Sequence, residues 1–173
     1  RGERLCIQAP GVRWPYADLQ AQANRIAHVL VSDMGLVPGN RVLLRAPNNP
    51  MLAACWFGVV KAGGIAVGSM PLLRAKELKQ ILDKAQISHA LCDRRLADEM
   101  QRAAAACPTL RQLRYFGYND NNSESADGAP ADEGLEAAMA RQPAQFANVD
   151  TAAEDICLMA FTSGTTGTPK GTM

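Results

Sequence analysis

Apolar residues along this chain fall into two kinds of run, and the two kinds alternate. Short, largely apolar runs read as strands: Leu5 to Ala9, Arg41 to Ala46, Ile65 to Gly68, Ile87 to Cys92, Leu113 to Phe116 and Ile156 to Phe161, the last, short and free of charge, as a buried one. Between them, apolar residues recur every three or four positions and read as helices. One runs from Pro15 to about Asp33 with Leu19, Ala23, Ile26, Ala27 and Leu30 on one face. Another, Ala75 to Ala85, carries Leu78, Ile81, Leu82 and Ala85. A third starts at an Asp93 cap, runs through Ala106 and is terminated by Pro108. Asn49-Pro50 is a helix start, with Asn as cap and Pro in the first turn. The residues that follow (Met51, Leu52, Cys55, Trp56, Phe57, Val59, Val60) are apolar all round, which predicts burial on every side. Lys61 complements that helix's dipole and Gly63-Gly64 stop it. Strands alternating with helices of roughly ten to fifteen residues predict an α/β fold, a mostly parallel sheet with right-handed crossovers and helices on both faces.

Turn residues refine this outline. Pro10-Gly11 separates Leu5 to Ala9 from a second short strand, Val12 to Trp14, which predicts a hairpin at the edge of the main sheet. Gly35 is placed to end the first long helix in the left-handed conformation. Gly117 to Ala131 is polar and without period, and reads as a mobile surface loop. A short helix around Leu135 and Met139 follows within Asp132 to Arg141, and Gln142 to Asp155 is a connector into the last strand. There is no internal repeat, and residues 1–173 read as one unit.

Composition narrows the partners. With 18 Lys plus Arg against 17 Asp plus Glu, interspersed along the chain, the net charge is +1, which excludes a nucleic-acid or membrane-surface partner as the reading. The run from Met51 to Val60 is too short to cross a bilayer, and Arg1-Gly2-Glu3-Arg4 is no signal peptide. The cysteines Cys6, Cys55, Cys92, Cys107 and Cys157 are odd in number, form no Cys-x-x-Cys pair and sit among apolar neighbours. They read as buried free thiols of a cytoplasmic protein. His28 and His89 have no second ligand at metal spacing, so both are read as structural, and no metal site is predicted.

The chemistry concentrates in Thr162-Ser163-Gly164-Thr165-Thr166-Gly167-Thr168-Pro169-Lys170-Gly171, directly after the final strand. Its glycines allow sharp turns and close approach to a ligand; its hydroxyls and backbone N–H groups are donors, and Lys170 is a compact cation. That set suits a polyphosphate. It also suits an ordinary polar turn, and on residue types alone the two readings stand level. A P-loop of the nucleotidase type is excluded, because counting from Gly164 the glycine that must precede its lysine falls on Pro169.

The whole of Thr162 to Gly171 resembles, without a gap, the phosphate-binding signature of the adenylate-forming (AMP-binding) superfamily of acyl-CoA synthetases, peptide-synthetase adenylation domains and luciferases. Trp14 to Leu19 is similar to that family's early Tyr-x-Glu-Leu segment, and Val60 to Val67 to its Lys-Ala-Gly segment. The family usually carries a Ser or Thr cap where Pro15 stands, a loss of about 1 kcal/mol locally. Leu158-Met159-Ala160-Phe161 and Gly171-Thr172-Met173 look closest to benzoate- and 2-aminobenzoate-CoA ligases.

The resemblance implies a two-step reaction: a carboxylate attacks the α-phosphate of ATP to give acyl-adenylate and pyrophosphate, and coenzyme A then displaces AMP. It implies ATP, Mg2+ and coenzyme A for the intact enzyme and a small carboxylic acid, here an aromatic one, as substrate. By this resemblance Thr162, Ser163, Thr165 and Thr166 would bind phosphate by hydroxyl, and Gly164 and Gly167 by backbone N–H. Lys170 would be the catalytic cation on a terminal phosphate. Trp56 and Phe57 are read as core packing in preference to an acyl pocket.

The adenine, acyl, magnesium and coenzyme A sites of such enzymes lie beyond this sequence. The chain therefore reads as the N-terminal part of the family's large domain, truncated after its loop, inactive by itself and needing no cofactor. Thr162 to Met173 is expected to be poorly ordered for want of a pairing strand. Two other readings remain: an adenylation domain loading a carrier protein, and a non-catalytic nucleotide-binding module.

Overall fold

The computed structural model describes residues 2–117, 134–163 and 169–172. Its strands are β1 (Leu5–Ala9), β2 (Val12–Pro15), β3 (Arg41–Arg45), β4 (Ile65–Ser69), β5 (His89–Asp93), β6 (Gln112–Phe116), β7 (Leu158–Ser163) and β8 (Pro169–Thr172). Its helices are α1 (Tyr16–His28), α2 (Pro50–Lys61), α3 (Ala75–Lys84), α4 (Ala97–Ala105) and α5 (Leu135–Ala140). Six strands make one sheet in the order β6-β5-β3-β4-β7-β8. Neighbours from β6 to β7 are parallel, and β8 alone runs antiparallel, against β7.

Side-chain alternation in the strands divides the interior into two layers. Val42 and Leu44 of β3, Leu91 of β5 and Phe116 of β6 pack with Ile26, Leu30, Val59 and Leu135 from α1, the turn following it, α2 and α5. The intervening residues, Leu43, Ala90, Cys92 and Tyr115, pack with Leu78, Leu82 and Met100 of α3 and α4 on the other face. The central strands β3 and β5 are thus buried on both sides; β7, expected to be a buried strand, is not, since Leu158 is 44% exposed and Ala160 is exposed as well.

Several local expectations change. The β1–β2 hairpin is a two-stranded sheet of its own and does not join the edge of the six-stranded sheet; its partly buried Ile7 and Trp14 pack against the core instead. Pro15 is the last residue of β2 and the cap of α1, one place earlier than the first-turn position expected of it. No side chain caps α1; the carbonyls of Arg4 and Gly2 accept from the N–H groups of Tyr16 and Ala17 at 3.0 Å each. Helix α1 widens into a π-helical turn over Val29–Asp33, and Gly35 follows at φ +67°.

Helix α2 is not buried on every side. Its face bearing Ala54, Cys55, Gly58 and Val59 is buried, Met51, Leu52 and Trp56 are half-buried, and Phe57 is 43% exposed. Asp93 caps a 3₁₀ turn, Arg94–Leu96, that precedes α4. Among the cysteines, Cys55, Cys92 and Cys107 are buried, Cys6 is intermediate, and Cys157 is exposed because it lies in the connector before β7 and outside the core. Burial pushes the Cys92 thiol up to about 12 and the Cys55 thiol up as well, so neither is a nucleophile at neutral pH.

Both histidines have structural partners. His28 donates from Nε2 to the Gln145 carbonyl at 2.7 Å and meets the Phe146 ring edge-on at 4.8 Å. Together with Asn24, which donates to the Ala144 carbonyl at 2.7 Å, it fastens the connector to α1. The loop expected over Gly117 to Ala131 lies, after Gly117, outside the described residues.

Candidate functional site

The C-terminal ends of β3, β4 and β7 open onto one side of the sheet, where parallel α/β folds place ligands. Between them is a cavity of about 740 Å3 whose lining includes Asn49, Trp56, Met70, Leu73, Ala160 and Phe161. Trp56 lines this cavity while also packing against the core as expected; Phe57, beside it in sequence, is 43% exposed and meets the Trp56 ring edge-on at 4.9 Å. A helix turns consecutive residues by about 100°, so the all-round apolar pattern of α2 could not say which of the two would be inward.

Strand β7 delivers the glycine- and threonine-rich segment to this side. Its lower half pairs with β4 through Ala66↔Leu158 and Val67↔Met159. Its upper half pairs with β8 through Ala160↔Thr172, Phe161↔Gly171, Thr162↔Lys170 and Ser163↔Pro169. Two predicted phosphate-binding positions, Thr162 and Ser163, therefore lie on β7, and Lys170 lies directly opposite Thr162 on β8, exposed. Gly164, Thr165, Thr166 and Gly167 lie outside the described residues.

The pairing corrects the expectation that this stretch lacks a partner strand. Pro169–Thr172 folds back on the strand that precedes the loop, so the backbone groups are satisfied locally by a hairpin ladder. Gly171 is fitted to it: a Cβ there would come within 3.3 Å of Phe161 Cε1 and Cζ, so the half-buried ring lies against bare backbone.

Two charges near these strand ends are buried, which the reading from sequence did not foresee, although it named Asp93 as a helix cap. Asp93, at the end of β5, is buried and accepts from Arg95 Nη2 at 2.7 Å, from Arg95 Nε at 2.9 Å and from Asn49 Nδ2 at 3.2 Å. Asn49 meanwhile accepts from the Leu52 N–H at 2.8 Å, so one side chain caps α2 and ties it to β5. Arg45, at the end of β3, is fully buried and donates to backbone carbonyls after β4. The one available signal was an arginine closing an otherwise apolar run. Among the described residues no three His, Cys, Asp or Glu side chains converge as a metal set. No described helix is long and apolar enough to cross a membrane.

Comparison with known proteins gives this geometry a family. The AMP-binding enzyme family matches residues 1–173. The crotonobetaine/carnitine–CoA ligase of Salmonella typhimurium is 32% identical over 165 residues, 92% of this chain and 30% of that protein. Among solved structures, the anthranilate CoA ligase AuaEII in complex with anthranoyl-AMP superposes with a TM-score of 0.88 over 99% of this chain and 31% of that one, at 24% identity. ATP-bound MatB from Rhodopseudomonas palustris gives 0.82 over 99% and 32%, at 29% identity. The chain thus spans about a third of the length of the proteins it matches. A mostly parallel sheet matched along the whole of residues 1–173 places the chain in the AMP-binding enzyme family.

Proposed function

We propose that residues 1–173 are the N-terminal part of the large domain of an ATP-dependent acid–CoA ligase, and that the β7–β8 hairpin carries its pyrophosphate-binding loop. The observation that supports this most is the register of the hairpin. It sets Lys170 opposite Thr162 at the ends of the two strands that enter and leave the loop, on the ligand-binding side of the sheet. A carboxylate attacking the α-phosphate of ATP breaks the α–β bridging bond, and negative charge grows on the departing pyrophosphate. Donors fixed beforehand around the β- and γ-phosphates stabilise that charge without reorganising. In this reading Thr162, Ser163, Thr165 and Thr166 supply hydroxyls, Gly164 and Gly167 supply backbone N–H groups, and Lys170 supplies a point charge to a terminal phosphate.

The acceptor in the second step is coenzyme A, and Mg2+ would neutralise phosphate charge from groups outside residues 1–173. The acid is aromatic in this proposal, supported by the resemblance of Leu158–Phe161 and Gly171–Met173 to benzoate-type ligases. The compartment is the cytoplasm, and the 173 residues alone do not turn over.

A ligation panel of aryl and aliphatic acids with the intact ligase is the test: AMP and an aryl-CoA thioester are the products expected. Preference for a small aliphatic acid would overturn the aromatic assignment while leaving the ligase standing. Absence of AMP formation with every acid would remove the ligase itself.

A further inference from the structure

The turn after β4 and the start of β7 leave large apolar side chains in water. Met70 is 65% exposed and Leu72 85%, and Leu158 is exposed as well. Met70 and Leu158 line one cavity of about 740 Å3, whose walls also include Leu44, Leu52, Trp56 and Phe161. A single exposed apolar residue is ordinary on a protein surface; several around one concavity mark a surface that meets another.

The turn is held in place. The fully buried Arg45 donates from Nη1 to the Met70 carbonyl at 3.1 Å, and from Nη2 to the carbonyls of Pro71 at 3.2 Å and Leu73 at 2.9 Å. The Leu73 N–H closes the turn on the Met70 carbonyl at 3.2 Å. A planar donor fork on three carbonyls fixes the backbone, so the exposure of Met70 and Leu72 belongs to an ordered turn. A surface set in advance loses little freedom when it is covered.

Charge and extent decide what covers it. Among the described lining residues Glu77 is the one charged side chain, and it already accepts from the Arg74 N–H at 3.1 Å. No cation lines the cavity, so a carboxylate or phosphate would enter it without a counter-charge. A small ligand there would also leave Leu72 in water, because Leu72 stands outside the lining. An apolar polypeptide surface fits both facts. This chain covers only 30% to 32% of the proteins it matches, and β8 brings Thr172 opposite Ala160, itself a lining residue.

We propose that this face, the cavity together with Met70 and Leu72, is where the polypeptide following residue 173 in the intact ligase packs, through an apolar surface of the same large domain. The proposal rests on the reading of residues 1–173 as the N-terminal part of that domain.

Hydroxyl-radical footprinting of the intact ligase tests it, with Tyr16 and Val37, each 56% exposed and on other segments, as references in the same molecule. After correction for intrinsic reactivity, labelling of Met70 and Leu72 is expected to fall roughly tenfold below the references, although both are the more exposed in residues 1–173. The protection is expected in monomeric protein, without added acid or nucleotide. Labelling as fast as the references would overturn the proposal. Protection confined to oligomers would overturn it in favour of a second copy, and protection that needs added acid or ATP in favour of a small ligand. Activity is a separate readout: if no acid yields AMP, the ligase reading falls, while the footprint still decides what covers Met70 and Leu72.

Discussion

His89 shows how a buried polar side chain ties stability to pH. Its Nε2 donates to the Met34 carbonyl (3.0 Å), and its Nδ1 lies 2.8 Å from the Ser88 hydroxyl, which can donate to it when the ring is neutral. Burial, and to a lesser degree the charge of Arg111, hold its pKa below the ordinary 6.5, against the opposing effect of the Met34 bond. The unfolded chain then binds a proton that the folded chain refuses. The contribution of His89 is whole above pH 6.5 and is lost as pH falls from there to the lowered folded value. Urea unfolding at about pH 7.5 and about pH 5.5 is expected to show a larger loss for the wild type than for His89→Asn. Equal losses would remove the effect. Asp83, held low chiefly by Lys79, and Glu99, held low chiefly by the Ala75 N–H, lose their contributions only in the more acid carboxylate range. At the same scale, Asn49→Ala removes a helix cap and a donor to the buried Asp93 together. A loss of about 1–2 kcal/mol by chemical denaturation is expected. The cap was legible because Asn-Pro before an apolar run has one local meaning. The second bond, to a residue far along the chain, leaves no local trace.

Among the elements, α2 was the hardest to read. Its apolar pattern has no polar stripe, so periodicity announces a helix but not an orientation. The orientation comes from Gly58: a Cβ there would lie 2.6 Å from Ile26 Cγ2 and 3.1 Å from the Ala23 carbonyl, so α1 crosses α2 at the glycine. Gly58→Ala is expected to cost about 1–3 kcal/mol through forced separation of the two helices, despite alanine's better helix propensity. An unchanged or higher melting temperature would show that the helices can slide apart freely. The amphipathic α3, by contrast, was placed nearly to its ends because Leu78, Ile81 and Leu82 mark one face. The β1–β2 hairpin was found but misplaced, since turn chemistry fixes a hairpin's existence and says nothing of which sheet it joins.

For the whole molecule, alternation of strand and helix was enough to reach a parallel sheet with two covered faces, and the signature after β7 was enough to reach the family. The cavity was not legible, because Asn49 and Trp56 of α2, Met70 after β4 and Phe161 of β7 come to line it only once three separate elements are in place. The central claim is that Lys170, opposite Thr162 at the mouth of the hairpin, stabilises charge on departing pyrophosphate. If residues 1–173 lack the remaining sites, the 173-residue chain shows no pyrophosphate exchange above its own Lys170→Ala background; a signal above that background would contradict the assignment of those sites elsewhere. The most direct measurement is acid-dependent ATP–pyrophosphate exchange by the intact ligase, wild type against Lys170→Ala. A fall on the order of a hundredfold in the variant, with its fold retained, is the result predicted; an unchanged exchange rate would take Lys170 out of the mechanism.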